Sequence, residues 1–251
     1  MLIDTHAHIC DSVFDADREQ ILERASAAGI GAIIAVGENI DDAEKNLHLA
    51  AQHRMILPAA GLYPTFLDLN LAAQMRDFIR KNRDRLKAIG EVGLDYWMVK
   101  DEADRETQRE IFRSFIGLSK ELDLPVNVHS RSAGRYAVAV LLESGSSRVQ
   151  LHAFDGKAGA AMPAVEAGFF FSVPPSIVRS EQKQKLVKQL PLTCLLVETD
   201  SPVLGPSPHE RNEPANAIIA VKSIAELKGL SEEEVIEAVT ENTRKLYGIE
   251  G

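Results

Sequence analysis

The chain alternates between short apolar stretches and longer stretches that have the spacing of an amphipathic helix. Residues 32–37 are wholly apolar, which is typical of a strand buried on both faces of a parallel sheet. Residues 15–28 place Ile21, Leu22 and Ala25 on one side of a helix, and Gly29 ends it. The predicted strands are residues 2–9, 32–37, 56–62, 87–95, 125–130, 149–154, 169–173 and 194–198.

Helical spacing follows every predicted strand, and one more helix closes the chain. The predicted helices are residues 15–28, 40–53, 69–85, 103–122, 134–144, 157–167, 180–190, 214–228 and 231–247. The last begins with Ser231 and Glu234, the Ser-x-x-Glu spacing of a capping box. No linker or low-complexity segment interrupts the alternation. We therefore expect an α/β fold, a single (β/α)8 TIM barrel over residues 1–251 with an extra C-terminal helix; a doubly wound open sheet is the alternative.

Polar residues of metal-binding types lie where the predicted strands end. Residues two apart in a strand share a face with Cα atoms about 6.6 Å apart, so His6 and His8 can reach one point. The others lie on strands four, five and six and just past strand eight: Glu91, His129, His152 and Asp200. Each alone also fits a structural role, as a cap, an ion pair or a core histidine. Because barrel chemistry collects at the carboxyl ends of the strands, we expect all six side chains to converge on one site.

Composition narrows the class of protein. A hydrophobic fraction of 45% supports a sizeable core, and no stretch approaches the roughly 18 apolar residues of a membrane span. The chain starts directly with a predicted strand, and Cys10 and Cys194 form no disulfide or metal-binding pattern, so we expect a cytoplasmic protein without a membrane partner. The net charge of -9 argues against a broad basic surface for long duplex DNA, although bound cations and local arginines would still attract phosphate.

An ordered set of motifs spans nearly the whole chain. The set comprises Asp4-Thr5-His6-Ala7-His8, Gly61-Leu62-Tyr63-Pro64, Gly90-Glu91-Val92-Gly93-Leu94-Asp95-Tyr96, Val128-His129-Ser130-Arg131, His152-Ala153-Phe154, Glu198-Thr199-Asp200-Ser201-Pro202, Arg211-Asn212-Glu213-Pro214 and Asn242-Thr243-Arg244-Lys245-Leu246-Tyr247-Gly248. In this order the motifs resemble those of the TatD-type metal-dependent deoxyribonucleases, within the larger amidohydrolase group. The resemblance implies a hydrolase that cleaves phosphodiester bonds at DNA ends or in short oligonucleotides.

The resemblance also implies a centre of two divalent metal ions, drawn from Mg, Mn, Zn or Co. His6, His8, Glu91 and Asp200 would hold one ion, and Glu91, His129 and His152 the second, with Glu91 bridging. Many members of the family carry histidine at the position of Tyr63, so the role of Tyr63 toward substrate is open.

The expected reaction is attack by metal-activated water, with Asp200 accepting the proton and Glu91 bridging the ions. Arg131 and Arg211 are candidates for binding a substrate phosphate, because a guanidinium group matches phosphate oxygens; surface ion pairing is the alternative for each. Two other functions stay open: hydrolysis of a small amide, ester or lactone, and a metal-loaded interaction module without turnover. The sequence does not fix the oligomeric state.

Overall fold

The computed structural model describes residues 1–249, so the last two residues of the predicted domain lie outside the described residues. Eight parallel strands follow one another in sequence order around a nearly closed barrel, which confirms the predicted (β/α)8 fold over the doubly wound sheet. The strands are β1 (Leu2–Ala7), β2 (Ile30–Ala35), β3 (Ile56–Ala60), β4 (Ala88–Gly93), β5 (Val126–His129), β6 (Val149–Leu151), β7 (Phe170–Val173) and β8 (Leu195–Val197).

Helices surround the barrel in alternation with the strands, and the extra C-terminal helix is present. They are α1 (Arg18–Ala27), α2 (Ile40–Gln52), α3 (Leu69–Lys81), α4 (Glu102–Leu122), α5 (Gly134–Glu143), α6 (Ala158–Glu166), α7 (Glu181–Gln189), α8 (Ala217–Lys228) and α9 (Glu232–Tyr247). The predicted capping box of α9 is formed, with Ser231 and Glu234 each bonding to the other's backbone N–H. Within residues 1–249, no helix combines the length and apolar character needed to cross a membrane.

The barrel is closed between β1 and β8 by bonds that lie just beyond the end of β8. The Asp200 N–H donates to His6 O at 2.8 Å, and the His8 N–H donates to Ser201 O at 2.9 Å. Below them, the buried Asp4 carboxylate accepts from the Thr199 N–H at 2.9 Å and from the Thr199 hydroxyl at 2.5 Å. The closure of the barrel therefore brings the two histidines of β1 beside Asp200.

Several predicted elements are shorter in the structure than the sequence pattern indicated. Strand β6 ends at Leu151 and β1 at Ala7, so His152 and His8 lie just past their strands. The polypeptide turns there because Ala153 has φ 40° and Asp200, after β8, has φ 54°, both in the left-handed region. Helix α3 ends at Lys81, and a separate 3₁₀ turn covers the remainder of its predicted range.

The barrel interior below the carboxyl ends contains a layer of hydrogen-bonded polar side chains. Gln150 of β6 donates to Ser172 Oγ of β7 at 2.8 Å, and Ser172 donates to Glu198 Oε2 at 2.5 Å. Asn127 of β5 donates to the backbone oxygen of Thr5 in β1 at 3.0 Å. Buried polar groups are costly unless they are paired, so this layer defines one arrangement of the strands beneath the site.

Candidate metal centre

The six side chains that the strand ends predicted meet at one end of the barrel. All lie at or just past the carboxyl ends of β1, β4, β5, β6 and β8: His6, His8, Glu91, His129, His152 and Asp200. Five are buried, and His8 is partly exposed toward the opening.

The first group of donor atoms has the spacing of ligands around one ion. His6 Nε2 lies 3.3 Å from His8 Nε2 and 3.4 Å from Asp200 Oδ1. His8 Nε2 lies 3.5 Å from the same oxygen of Asp200 and 3.4 Å from Glu91 Oε2. Metal–ligand bonds of about 2.0–2.2 Å place neighbouring donors about 3.0–3.5 Å apart. His6, His8 and Asp200 therefore have the spacing of ligands around one ion, and Glu91 Oε2 lies beside them, 3.9 Å from His6 Nε2.

The second group gathers around the other oxygen of the same carboxylate. Glu91 Oε1 lies 2.6 Å from His129 Nδ1 and 3.0 Å from His152 Nε2. The two imidazole nitrogens are 3.4 Å apart. Glu91 thus directs one carboxylate oxygen toward each group, which is the arrangement of a bridging ligand.

The donor atoms also fit metal ions in their hydrogen bonding and chemistry. Within residues 1–249, the buried Glu91 Oε2 has no hydrogen-bond partner. A buried carboxylate oxygen that lacks a partner is costly, and coordination of a cation would remove that cost. Imidazole and carboxylate together are common ligands of divalent first-row metal ions. The residues present therefore fit such ions.

Electrostatics favours positive charge at this position. Burial alone would raise the pKa of the Glu91 carboxyl, but His129 and His152 hold it well below its ordinary value. Burial likewise opposes ionisation of Asp200, while His6 and His8 hold its pKa low. Burial would lower the pKa of His8, but the neighbouring carboxylates of Asp200 and Glu91 raise it to about 10. Two ionised carboxylates thus lie in the barrel interior and require positive charge beside them.

Neighbouring polar side chains orient two of the imidazoles, His6 and His129, through contacts that the sequence pattern did not predict. His6 Nδ1 lies 2.8 Å from Asn127 Oδ1, and His129 Nε2 donates to Asp95 Oδ2 at 3.1 Å. His152 Nδ1 lies 3.6 Å from Glu198 Oε1 and has no hydrogen-bond partner among residues 1–249. In each case the nitrogen that faces the centre is the opposite one, which is how metal-ligating histidines are usually held. The available signal was a polar residue inside or directly after an apolar strand.

The substrate-binding candidates differ in where they lie. A cavity of about 420 Å³ opens onto the centre and is lined by Tyr63 and Arg131, together with His129, His152 and Asp200. The Tyr63 and His129 rings meet edge to face, with their centres 5.1 Å apart. The Arg131 guanidinium stacks 3.8 Å from the centre of the exposed Trp97 ring. Arg211 does not line this cavity. It is paired with Asp17 at 2.5 Å, so its role toward phosphate stays a prediction.

The comparisons with known proteins agree with this geometry. A family model described as TatD related DNase matches residues 3–248. The human deoxyribonuclease TATDN3 is 46% identical, covering 98% of this chain and 94% of the relative. The metal-dependent hydrolase YabD of Bacillus subtilis is 33% identical, covering 99% of this chain and 100% of the relative. The crystal structure of YjjV, a TatD homolog from Escherichia coli, has a TM-score of 0.91 at 29% identity, covering 99% of this chain and 98% of that chain.

The shared carboxylate leads to a prediction about thermal stability. Adding Mn²⁺ at about 100 times its Kd should raise the Tm by about 5–10 °C, because the ions bind the folded state. Glu91→Gln should lose most of this rise, since both groups of donors lose their common charge. Differential scanning calorimetry with Mn²⁺ or with a chelator measures the shift.

The control for this experiment is Glu166→Gln, which makes the same change at an exposed position near the end of α6. It should retain the parental shift. An equal rise in Tm for Glu91→Gln and for the parental protein would contradict the assignment of Glu91 as a ligand.

Proposed function

The chain belongs to the TatD-related DNase family, and we propose that it hydrolyses phosphodiester bonds at DNA ends or in short oligonucleotides with two bound divalent metal ions. As a member of this family it is a metal-dependent hydrolase. The observation that carries the proposal is the position of Glu91, whose two oxygens lie within 3.4 Å of a donor in each group.

The proposed ligands are those of the two groups already described. His6, His8, Asp200 and Glu91 would hold one ion, and His129, His152 and Glu91 the other. Four of the six side chains are imidazoles, which suit Zn, Co and Mn better than Mg, an ion that prefers oxygen ligands. When bound, a pair of divalent ions activates water near neutral pH and offsets the charge that develops on the attacked and departing oxygens.

Within this arrangement Asp200 is the proposed general base. Its carboxylate lines the opening of the centre, and neighbouring imidazoles keep its pKa low, so it is ionised at neutral pH. An ionised carboxylate beside the reacting water is able to accept a proton and later to return it to the leaving oxygen. Asp200 therefore combines a ligand role with a proton-transfer role.

The surroundings of Arg131 favour a polynucleotide, which is anionic, as the substrate over a neutral amide or ester. Among residues 1–249, no carboxylate oxygen lies within 4.0 Å of its guanidinium, although Arg105 and Arg109 nearby are both paired. Arg131 instead stacks on Trp97, which is 51% exposed. An unpaired guanidinium in the lining of the cavity matches a phosphate, and the exposed aromatic ring on which it stacks matches a nucleobase.

A substrate panel tests the proposal directly. The protein with Mn²⁺, Co²⁺ or Zn²⁺ should hydrolyse DNA ends and the p-nitrophenyl ester of thymidine 5′-monophosphate faster than an N-acyl amino acid or a lactone. Asp200→Asn should lower kcat for the phosphodiesters by about 100-fold or more, because the general base is lost. Metal content is measured in parallel by mass spectrometry.

The outcomes of the panel separate the alternatives. Preferential turnover of the amide or lactone would move the protein to the small-molecule hydrolases. No turnover of any substrate by metal-loaded protein would favour an interaction module. Near-parental kcat in an Asp200→Asn variant that retains its metal would show that Asp200 is not the base.

Arg131 provides a separate prediction for substrate binding. Arg131→Ala should raise KM for the nucleotide phosphodiester about five-fold or more, the effect of losing a hydrogen bond to a charged group, with little change in kcat. Arg54→Ala removes the same charge from an exposed residue at the opposite end of the barrel, between α2 and β3, and should change neither constant. Unchanged KM for Arg131→Ala would assign Arg131 to the structure alone.

A further inference from the structure

Lys183 lies on helix α7, not at the end of a strand, and its side chain reaches the mouth of the metal centre. It lines the same cavity as His129, His152 and Asp200, and its side chain is partly buried. Its ammonium group donates one hydrogen bond, to the backbone oxygen of Ala153 at 2.8 Å. The group thus lies beside the residue that directly follows His152.

The Lys183 ammonium group has N–H donors that the described residues leave without an acceptor. In the described part of the chain, no carboxylate oxygen lies within 4.0 Å of Lys183 Nζ, and a lysine has three N–H donors. Lys185, two residues further along α7, is exposed and paired with Glu181 at 3.0 Å. A cation partly removed from water without an ion-pair partner is costly, and an anionic ligand in the cavity would offset that cost.

We infer that Lys183 binds the anionic group of the substrate beside the metal centre and selects phosphodiesters over neutral esters. This inference rests on the proposed function and names the residue that makes the site selective for an anion. Lys183 and Arg131 line the same cavity, so the bound phosphate would contact cationic groups from α7 and from the loop after β5.

The test compares a charged and a neutral substrate. Lys183→Met should raise KM for the p-nitrophenyl ester of thymidine 5′-monophosphate about ten-fold or more, as expected for losing a charge-assisted hydrogen bond. Lys183→Arg should restore most of the loss. Turnover of p-nitrophenyl acetate should change less than about two-fold in either variant, because it carries no charge.

Binding gives a readout that does not depend on turnover. Titration calorimetry of thymidine 5′-monophosphate against Mn²⁺-loaded protein should show the same loss of affinity in Lys183→Met, and Lys185→Met is the matched control that should retain it. Equal Kd in Lys183→Met and the parental protein, equal loss for the charged and neutral esters, or no nucleotide binding by the parental protein would overturn the inference. Binding without hydrolysis would instead contradict the proposed function alone.

A separate observation concerns Tyr247, which enters the barrel interior from the C-terminal helix α9. It is buried, and its hydroxyl donates to Gln150 Oε1 at 2.5 Å. The same hydroxyl accepts a hydrogen bond from Asn127 Nδ2 at 3.1 Å. The residue thus connects α9 to the polar layer beneath the metal centre.

These contacts fix the orientation of the Asn127 amide. Its two N–H groups donate to Thr5 O at 3.0 Å and to the Tyr247 hydroxyl, so its oxygen is the atom that faces His6. Because that oxygen only accepts, the His6 Nδ1–H must donate to it, at 2.8 Å. His6 Nε2 is therefore the ring nitrogen that faces Asp200 and the metal centre, which is how metal-ligating histidines are usually held.

We propose that Tyr247 is a positioning residue, which acts through Asn127 to hold the His6 ring with Nε2 directed at the metal centre. The proposal rests on the assignment of His6 as a ligand. Tyr247→Phe removes the hydroxyl and leaves one Asn127 N–H and the Gln150 oxygen without these partners, so the amide is held less firmly in its orientation.

Metal affinity is the readout that distinguishes positioning from support of the fold. Competition with a chromophoric chelator should show Mn²⁺ or Zn²⁺ binding about five-fold or more weaker in Tyr247→Phe. The matched control is Thr243→Val, which removes a buried hydroxyl from the same helix; among residues 1–249 this hydroxyl bonds only to Val239 O, at 2.7 Å. It should keep the parental affinity.

Two further results complete this test. Unchanged affinity in Tyr247→Phe, or an equal loss in Thr243→Val, would overturn the positioning role. His6→Ala is measured alongside, and an unchanged affinity in that variant would show instead that the assumed ligand was wrong.

Discussion

A carboxylate in the interior of a protein must be compensated by positive charge, and the end of this barrel is organised around that requirement. Glu91 is 1% exposed, and one of its oxygens has no hydrogen-bond partner among residues 1–249. Imidazoles from β1, β5 and β6 approach it from both sides. The charge of Glu91, together with that of Asp200, favours cations at this site, and the spacing of the donors fits metal ions.

The fold supplies this arrangement through the ends of its strands. Backbone hydrogen bonds between β1 and the segment after β8 join His6 to Asp200 and His8 to Ser201. Residues in the left-handed region after β6 and β8 turn the chain beside the proposed ligands His152 and Asp200. Beneath them, the Asn127 amide is hydrogen-bonded to His6, and the side chains of Gln150, Ser172 and Glu198 form a hydrogen-bonded layer. The polar layer and the metal centre therefore form one connected network, which reaches the C-terminal helix at Tyr247.

The position of the site followed from the sequence because it depends on a local pattern. Each proposed ligand follows an apolar stretch, and parallel strands bring their carboxyl ends together. The roles of Asp95 and Asn127 did not follow, since their partners lie on other segments and depend on strand register. The approach of Lys183 also depends on how a helix packs, and the pairing of Arg211 with Asp17 joins residues 194 positions apart.

The most direct test of the central claim is anomalous diffraction from crystals grown with Mn²⁺ and recorded at the manganese absorption edge. The account predicts two peaks about 3.5–4 Å apart, the spacing of two-metal sites, with Glu91 between them. One peak should lie among His6, His8 and Asp200 and the other beside His129 and His152. A single peak, or peaks that do not contact Glu91, would contradict the account.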